Sequence, residues 1–190
     1  VALNAITNTQ ILERAGFKRM YIPSAPGDNG ISIGAALYGY HQIAGNKRII
    51  PAGVPTVYMG IKYTDKEIQR AINAHRKSIV VEKMHNDKVA VKVARLLADN
   101  TIMAWYQGSS EFGPRALGNR SIFASPVNVN NRDRLNSIKG RESFRPVAPV
   151  IASEKSEKYF ILSKQTADSL PYMLFALPPL NETIAKMIPA

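Results

Sequence analysis

Apolar residues recur along this chain with two periods, and the switches between them mark alternating helices and strands. Residues 4–15, NAITNTQILERA, put Ile6, Ile11 and Leu12 on one helical stripe, with Gly16 placed as a C-terminal stop. RMYIP at 19–23 predicts a strand ended by Pro23, and Pro26-Gly27-Asp28-Asn29-Gly30 a turn. A helix follows from Ile31 to Ala44, closed by Gly45; Gly34, Ala35 and Ala36 leave room on it for a close neighbour. Thr64-Asp65-Lys66-Glu67 is a capping box opening a helix whose apolar face carries Ile68, Ala71, Ile72 and His75. Ile79 to Val81 predicts a short strand. Val89, Val93, Leu96 and Leu97 recur at i, i+4, i+7 and i+8, an amphipathic helix with Asn86 as its cap. Thr101–Tyr106 and Ser121–Ala124 predict strands, Asn131–Ile138 a short helix and Val147–Ala152 a strand. Ser153–Tyr159 predicts a helix and Tyr172–Leu177 a last strand.

That alternation argues for an α/β protein with at least some parallel pairing. The best boundary is the loop at 46–63, where Pro51 and Pro55 limit regular structure. No repeat or low-complexity segment interrupts the pattern.

Composition narrows the picture only a little. With 190 residues, 45% of them hydrophobic, the chain can bury a core as one domain or as pieces of two. It has no cysteine, which excludes disulfides and thiolate metal sites and agrees with a cytosolic protein. No apolar run approaches the ~20 residues that span a bilayer, and no basic-then-apolar leader opens the chain. The opening residue is Val1, which reads as a fragment of something longer. The net charge of +11 invites a polyanion, and nucleic acid and small phosphorylated substrates both satisfy such a field. The single Trp105 and eight Tyr do not interleave with the basic run, which weighs against a base-stacking surface.

The basic run is the chemically informative stretch. Residues 111–145 hold six Arg and one Lys against Glu111, Asp133 and Glu142. Arg115 follows Gly113-Pro114, Arg120 follows Gly118-Asn119, and Arg141 follows Gly140. Scattered cations usually mean a solvated face, but such a face has no need of special backbone geometry. Arginine forks on glycine-bounded loops suit phosphate or carboxylate recognition instead. Arg132 and Arg134 fall on the short helix, where solvation explains them equally well. His41, His75 and His85 have no metal-like spacing and receive no role.

The strings SSEFGPRALGNRSI and IKGRESFRPVAPVI resemble the carboxy-terminal part of the O-carbamoyltransferase family, which includes nodulation-factor, cephamycin and tobramycin-type enzymes. The resemblance reaches upstream to IPSAPGDNGISIGAAL and VALNAITN, so it covers nearly the whole chain. It implies an α/β architecture in which residues 1–50 end an actin/acetate-kinase-like domain. Residues 64–190 would then be a YrdC-like domain, cut short at its far end. Sheet edges left open by that cut would be covered by pairing of two copies into a homodimer.

The resemblance also implies an activity. The YrdC-like part would form carbamoyl adenylate from carbamoyl phosphate and ATP, and the actin-like part would pass the carbamoyl group to a hydroxyl of a small molecule. Arg115, Arg120, Lys139, Arg141 and Arg145 would hold carbamoyl phosphate and ATP, with Ser121 and Asn119 adding neutral hydrogen bonds and Glu111 and Glu142 orienting the arginines. Asn4, by residue type a helix cap, would line a nucleoside pocket. Asp28, by residue type a turn residue, would be one ligand of iron or another divalent metal. The H-x-x-x-H pair that the resemblance calls for is missing, so these residues are expected not to complete carbamoyl transfer by themselves. No catalytic residue is singled out. The alternatives are an enzyme of tRNA threonylcarbamoyladenosine formation and a non-catalytic nucleic-acid-binding module; the first would share the chemistry, the second rests on charge alone.

Overall fold

The structure, a computed structural model, describes residues 1–49, 56–163 and 167–189. Pro51 and Pro55 lie outside the described residues. Two compact units are each assembled from separate stretches of chain. The first comprises Val1–Met59, Glu111–Leu117 and Ala148–Lys186; the second comprises Gly60–Ser110, Gly118–Val147 and Met187–Ala190.

Helix α1 (Ala5–Arg14) opens the first unit. Asn4 caps it, its side-chain oxygen accepting the Thr7 N–H, and Gly16 at φ +73° lets the chain leave. A single 3₁₀ turn at Asp28–Gly30 leads into α2 (Ile31–Tyr38), which continues as a π turn over Gly39–Ile43. The core gathers Ile22, Val57, Tyr172 and Leu174, with Ala2, Met20, Leu117 and Phe175 packed against it. Its residues come from stretches far apart in sequence, and polar contacts stitch them together. The buried Asn8 carboxamide donates to the carbonyls of Ala2 and Leu174 at 2.9 and 2.8 Å. The Thr9 hydroxyl lies 3.0 Å from both the amide nitrogen and the carbonyl oxygen of Ala176. Residues 174–176 thereby satisfy backbone groups against a helix.

In the second unit α3 (Asp65–Ala74) starts at the Thr64–Glu67 capping box, with both reciprocal bonds present. Helix α4 (Asn86–Ala98) has His85 at its N-cap position, one residue earlier than expected, and no side chain bonds the free N–H groups there. Its predicted stripe of Val89, Val93, Leu96 and Leu97 is the half-buried one. Asn100, at φ +63°, turns the chain into β1 (Met103–Tyr106), which pairs antiparallel with β2 (Arg120–Phe123) in the register Met103↔Phe123 and Tyr106↔Arg120. Helix α5 spans Asn131–Ile138, as predicted. Helix α6 (Glu182–Met187) is the last described element.

The protein is therefore mixed α/β, but its strands depart from expectation. The one ladder among the described residues is antiparallel, so the parallel pairing argued from alternation is not present there. Residues 19–23, 79–81, 147–152 and 173–177 are extended or irregular and form no strand, and Tyr172 ends a 3₁₀ helix that begins at Ala167. Pro23, Pro149 and the Pro178-Pro179 pair remove ladder donors, and the run at 79–81 is too short to recruit a partner. Residues 153–158 form a 3₁₀ helix.

The Asn8 bonds carry a stability prediction. Asn8→Ala removes both donors and strands the Leu174 carbonyl in the core, at a cost of about 1–3 kcal/mol. Chemical denaturation should show a lowered midpoint with an unchanged slope; an unchanged midpoint would mean that these bonds do not hold the unit together.

Candidate anion site

Lys139, Arg141 and Arg145 share one loop whose course is set by the end of α5. Lys139 is the C-cap residue, and Gly140 at φ +60° adopts the left-handed conformation that a side chain resists. The Gly140 N–H donates to the Ser137 carbonyl and the Arg141 N–H to the Asn136 carbonyl, both at 3.0 Å. These bonds make a Schellman motif, which reverses the chain and throws residues 141–145 back past the helix end.

Side chains then fix the loop. Arg141 Nε donates to Asn136 Oδ1 at 2.5 Å, and its Nη2 reaches the Pro146 carbonyl at 3.4 Å. Arg145 donates through Nε and Nη2 to the two Glu142 oxygens at 2.5 and 3.5 Å. Those bonds, chiefly the side-chain one from Arg145, hold the Glu142 carboxyl below its ordinary value. Glu142 thus pairs with Arg145 at the surface. Lys139 is largely exposed, yet partial burial of its ammonium, and after that the Arg141 charge, pushes its pKa down. The lesser of these two causes is repulsion from the Arg141 charge, which a bound anion would offset.

Arg120 and Ser121 belong to the same unit, at the start of β2. Arg120 Nη1 donates to the carbonyls of Gln107 and Asn119 at 2.5 and 2.9 Å, and Nη2 to those of Gly108 and Ile61 at 3.0 and 3.4 Å. The guanidinium also lies 3.6 Å from the centre of the Tyr106 ring. Arg120 therefore ties the loops flanking the hairpin together. Ser121 Oγ accepts the Gly118 N–H at 3.1 Å, and Asn119 Nδ2 donates to the Ser109 carbonyl at 2.7 Å. Arg132 pairs with Asp133 at 3.2 Å, and Arg134 donates to Asn131 Oδ1 at 2.7 Å.

Arg115 lies in the first unit, where its Nη2 donates to the Leu3 carbonyl at 3.0 Å. Its buried Nε has no acceptor among the described residues. Gly113, just before it, approaches so closely that a Cβ would sit 2.4 Å from the Ser24 carbonyl oxygen. The GPR loop is thus packed against the turn that carries Asp28. Glu111 Oε1 accepts the Leu117 N–H at 2.8 Å and closes that loop. Asn4 is the α1 cap described above, and Asp28 is exposed at the head of the 3₁₀ turn, where its carbonyl accepts the Ile31 N–H. Among the described residues no three His, Asp or Glu stand close enough to hold a metal ion, so Asp28 does not make a metal centre with them. No helix there is long and apolar enough to cross a membrane.

Reasoning from the sequence overlooked Asn136. It is the buried partner of Arg141, and its position one turn before Gly140, at the end of a helix with a glycine stop, was the available signal.

The comparisons with known proteins agree with this arrangement of motifs. Residues 94–190 match the family described as carbamoyltransferase C-terminus, and residues 1–37 match carbamoyltransferase N-terminus. An uncharacterised protein of Synechocystis sp. is 40% identical over 177 residues, covering 92% of this chain and 28% of that protein. Nodulation protein NolNO of Sinorhizobium fredii is 36% identical over 183 residues, covering 94% of this chain and 26% of the relative. The 3'-hydroxymethylcephem-O-carbamoyltransferase of Streptomyces clavuligerus is 34% identical over 158 residues, covering 83% and 28%. The chain spans about a quarter of the length of these curated relatives. With more than half of its residues inside the two family matches, this chain belongs to the carbamoyltransferase family.

Proposed function

We propose that the chain is part of an ATP-dependent O-carbamoyltransferase and that its cationic loop at 139–145 holds phosphate groups during formation of carbamoyl adenylate. The observation that carries this reading is the fixed loop itself: Gly140 turns the chain, and Asn136 holds Arg141 through Nε so that its Nη1 has no partner among the described residues, two residues from Lys139. Carbamoyl phosphate and water would give carbamate and phosphate. A carbamate oxygen would then attack the α-phosphorus of ATP, forming carbamoyl adenylate and releasing pyrophosphate. The approach of carbamate to ATP brings anions together, and fixed cations lower that barrier without reorganising. A hydroxyl of the acceptor would finally attack the carbamoyl carbon and displace AMP. The name of the Streptomyces relative specifies O-carbamoyl transfer at a hydroxymethyl group, and a small-molecule hydroxyl is the acceptor proposed here.

On this reading residues 64–190 are YrdC-like and residues 1–50 actin-like, and the reaction belongs to the cytoplasm, where ATP is abundant. Arg120 would shape the site by fixing the hairpin loops. In the first unit, taken by itself, Arg115 would present its buried Nε–H to an acceptor, and Asn4 would line a nucleoside pocket while capping α1. Asp28 would be one arm of a metal centre completed by residues outside this chain, and no step above runs through it.

Arg141→Ala should weaken ATP binding by about 2–5 kcal/mol in calorimetric titrations of the intact protein. Unchanged affinity would remove Arg141 from the site. Lys139 adds a pH signature. A bound anion favours the protonated ammonium, so affinity should fall as pH rises through the lowered Lys139 pKa, earlier than for an ordinary lysine. Without ligand the sign is opposite. The folded state holds this proton less tightly than the unfolded state, so stability should rise with pH between the lowered value and about 10.5. Lys139→Arg keeps its charge and should lose the alkaline fall in ATP affinity; the same fall in that variant would assign it to another group.

A further inference from the structure

Asn136 has no place in the chemistry described above, yet its polar groups meet the loop at four points. It is 1% exposed. Its backbone carbonyl accepts the Arg141 N–H and its Oδ1 accepts the Arg141 Nε–H, so one residue grips Arg141 by both main chain and side chain. Its Nδ2 donates to the carbonyls of Ser143 and Arg145, both at 3.0 Å. These bonds use one side-chain acceptor and both side-chain donors of a single carboxamide.

Only an amide fits. Aspartate would keep an acceptor for Arg141 and turn the other oxygen against two carbonyls. Leucine has the shape and neither function. The arrangement has a purpose that packing alone does not need. Lys139 and Arg141 are two cations only two residues apart, and the bonds to Asn136 and Pro146 keep the second of them in place. With Nε bound to Asn136 and Nη2 turned to Pro146, the Nη1 group of Arg141 has no partner among the described residues and remains for an incoming anion. An arginine already fixed loses less rotamer freedom when it binds.

We infer that Asn136 is a positioning residue: its carboxamide presets the Arg141 fork and the 143–145 carbonyls, so that the loop holds its anion-binding shape before the anion arrives. The inference rests on the phosphate-binding reading of this loop and extends it to a residue that touches no phosphate.

The test uses the intact protein carrying these residues, with ATP and carbamoyl phosphate as probes. Asn136→Ala should weaken ATP binding about tenfold, and the double variant with Arg141→Ala should bind no worse than Arg141→Ala alone, because Asn136 acts through Arg141. Additive losses would overturn the positioning role. Asn136→Asp should recover part of the affinity lost in Asn136→Ala, since the Arg141 acceptor survives; no recovery counts against the inference. A readout on the unsubstituted protein removes dependence on variant folding. The Arg141 Nε–H proton should exchange with solvent at least tenfold more slowly than that of free arginine in the same buffer, in the absence of nucleotide. Equal exchange means that no clamp exists and overturns the inference. If Arg141→Ala itself leaves ATP affinity unchanged, the phosphate reading falls and takes this inference with it. If Arg141→Ala weakens binding and Asn136→Ala does not, only the inference falls.

Discussion

A buried carbonyl that no neighbouring strand pairs must find another donor, and in this chain asparagine carboxamides provide several of them. Asn8 serves Ala2 and Leu174; Asn119 serves Ser109; Asn131 serves Ser125; Asn136 serves Ser143 and Arg145. All four side chains are buried. Leu174 is fully buried, so its carbonyl would otherwise face the core unpaired, at about 1–3 kcal/mol; the other carbonyls are partly buried and cost less to leave to solvent. A carboxamide suits the task because it donates twice and accepts at the same time. The same bonds that satisfy the backbone also fix where the loops run.

That constraint separates the arginines by role. Arg120 directs its fork at carbonyls of the loops beside the hairpin and stacks on Tyr106, so its charge stabilises loop geometry. Arg145 pairs with Glu142. Arg141 is held at Nε by Asn136 and at Nη2 by the Pro146 carbonyl and offers Nη1, while Lys139, two residues earlier, has a lowered pKa. In the first unit the residues of the two family matches are joined directly, through Asn8 to Leu174, Thr9 to Ala176 and Arg115 to Leu3. The GPR motif therefore belongs physically with the amino-terminal segment even though it lies in the carboxy-terminal family region.

Local signals were legible in the sequence, and non-local ones were not. The capping box at Thr64, the stripe on α4 and the limits of α5 depend on residues three or four apart, and the structure reproduces them. The strands at 19–23, 147–152 and 172–177 were read from composition, but a strand exists only where a partner pairs with it. Residues 172–177 found α1 as their partner, through Asn8 and Thr9, which no periodicity announces. The grouping of Lys139, Arg141 and Arg145 was visible because they are close in sequence. Asn136 was not, because its partners become neighbours only once Gly140 has turned the chain.

The central claim is that the loop at 139–145 is a phosphate site shaped before its ligand binds. A crystal structure of the intact protein with a non-hydrolysable ATP analogue and carbamoyl phosphate tests it directly. The account predicts phosphate oxygens within hydrogen-bonding distance of Arg141 Nη1 and Lys139 Nζ, with the Asn136–Arg141 bond retained and the loop backbone unmoved. Phosphates bound elsewhere, with this loop facing only solvent, would contradict it.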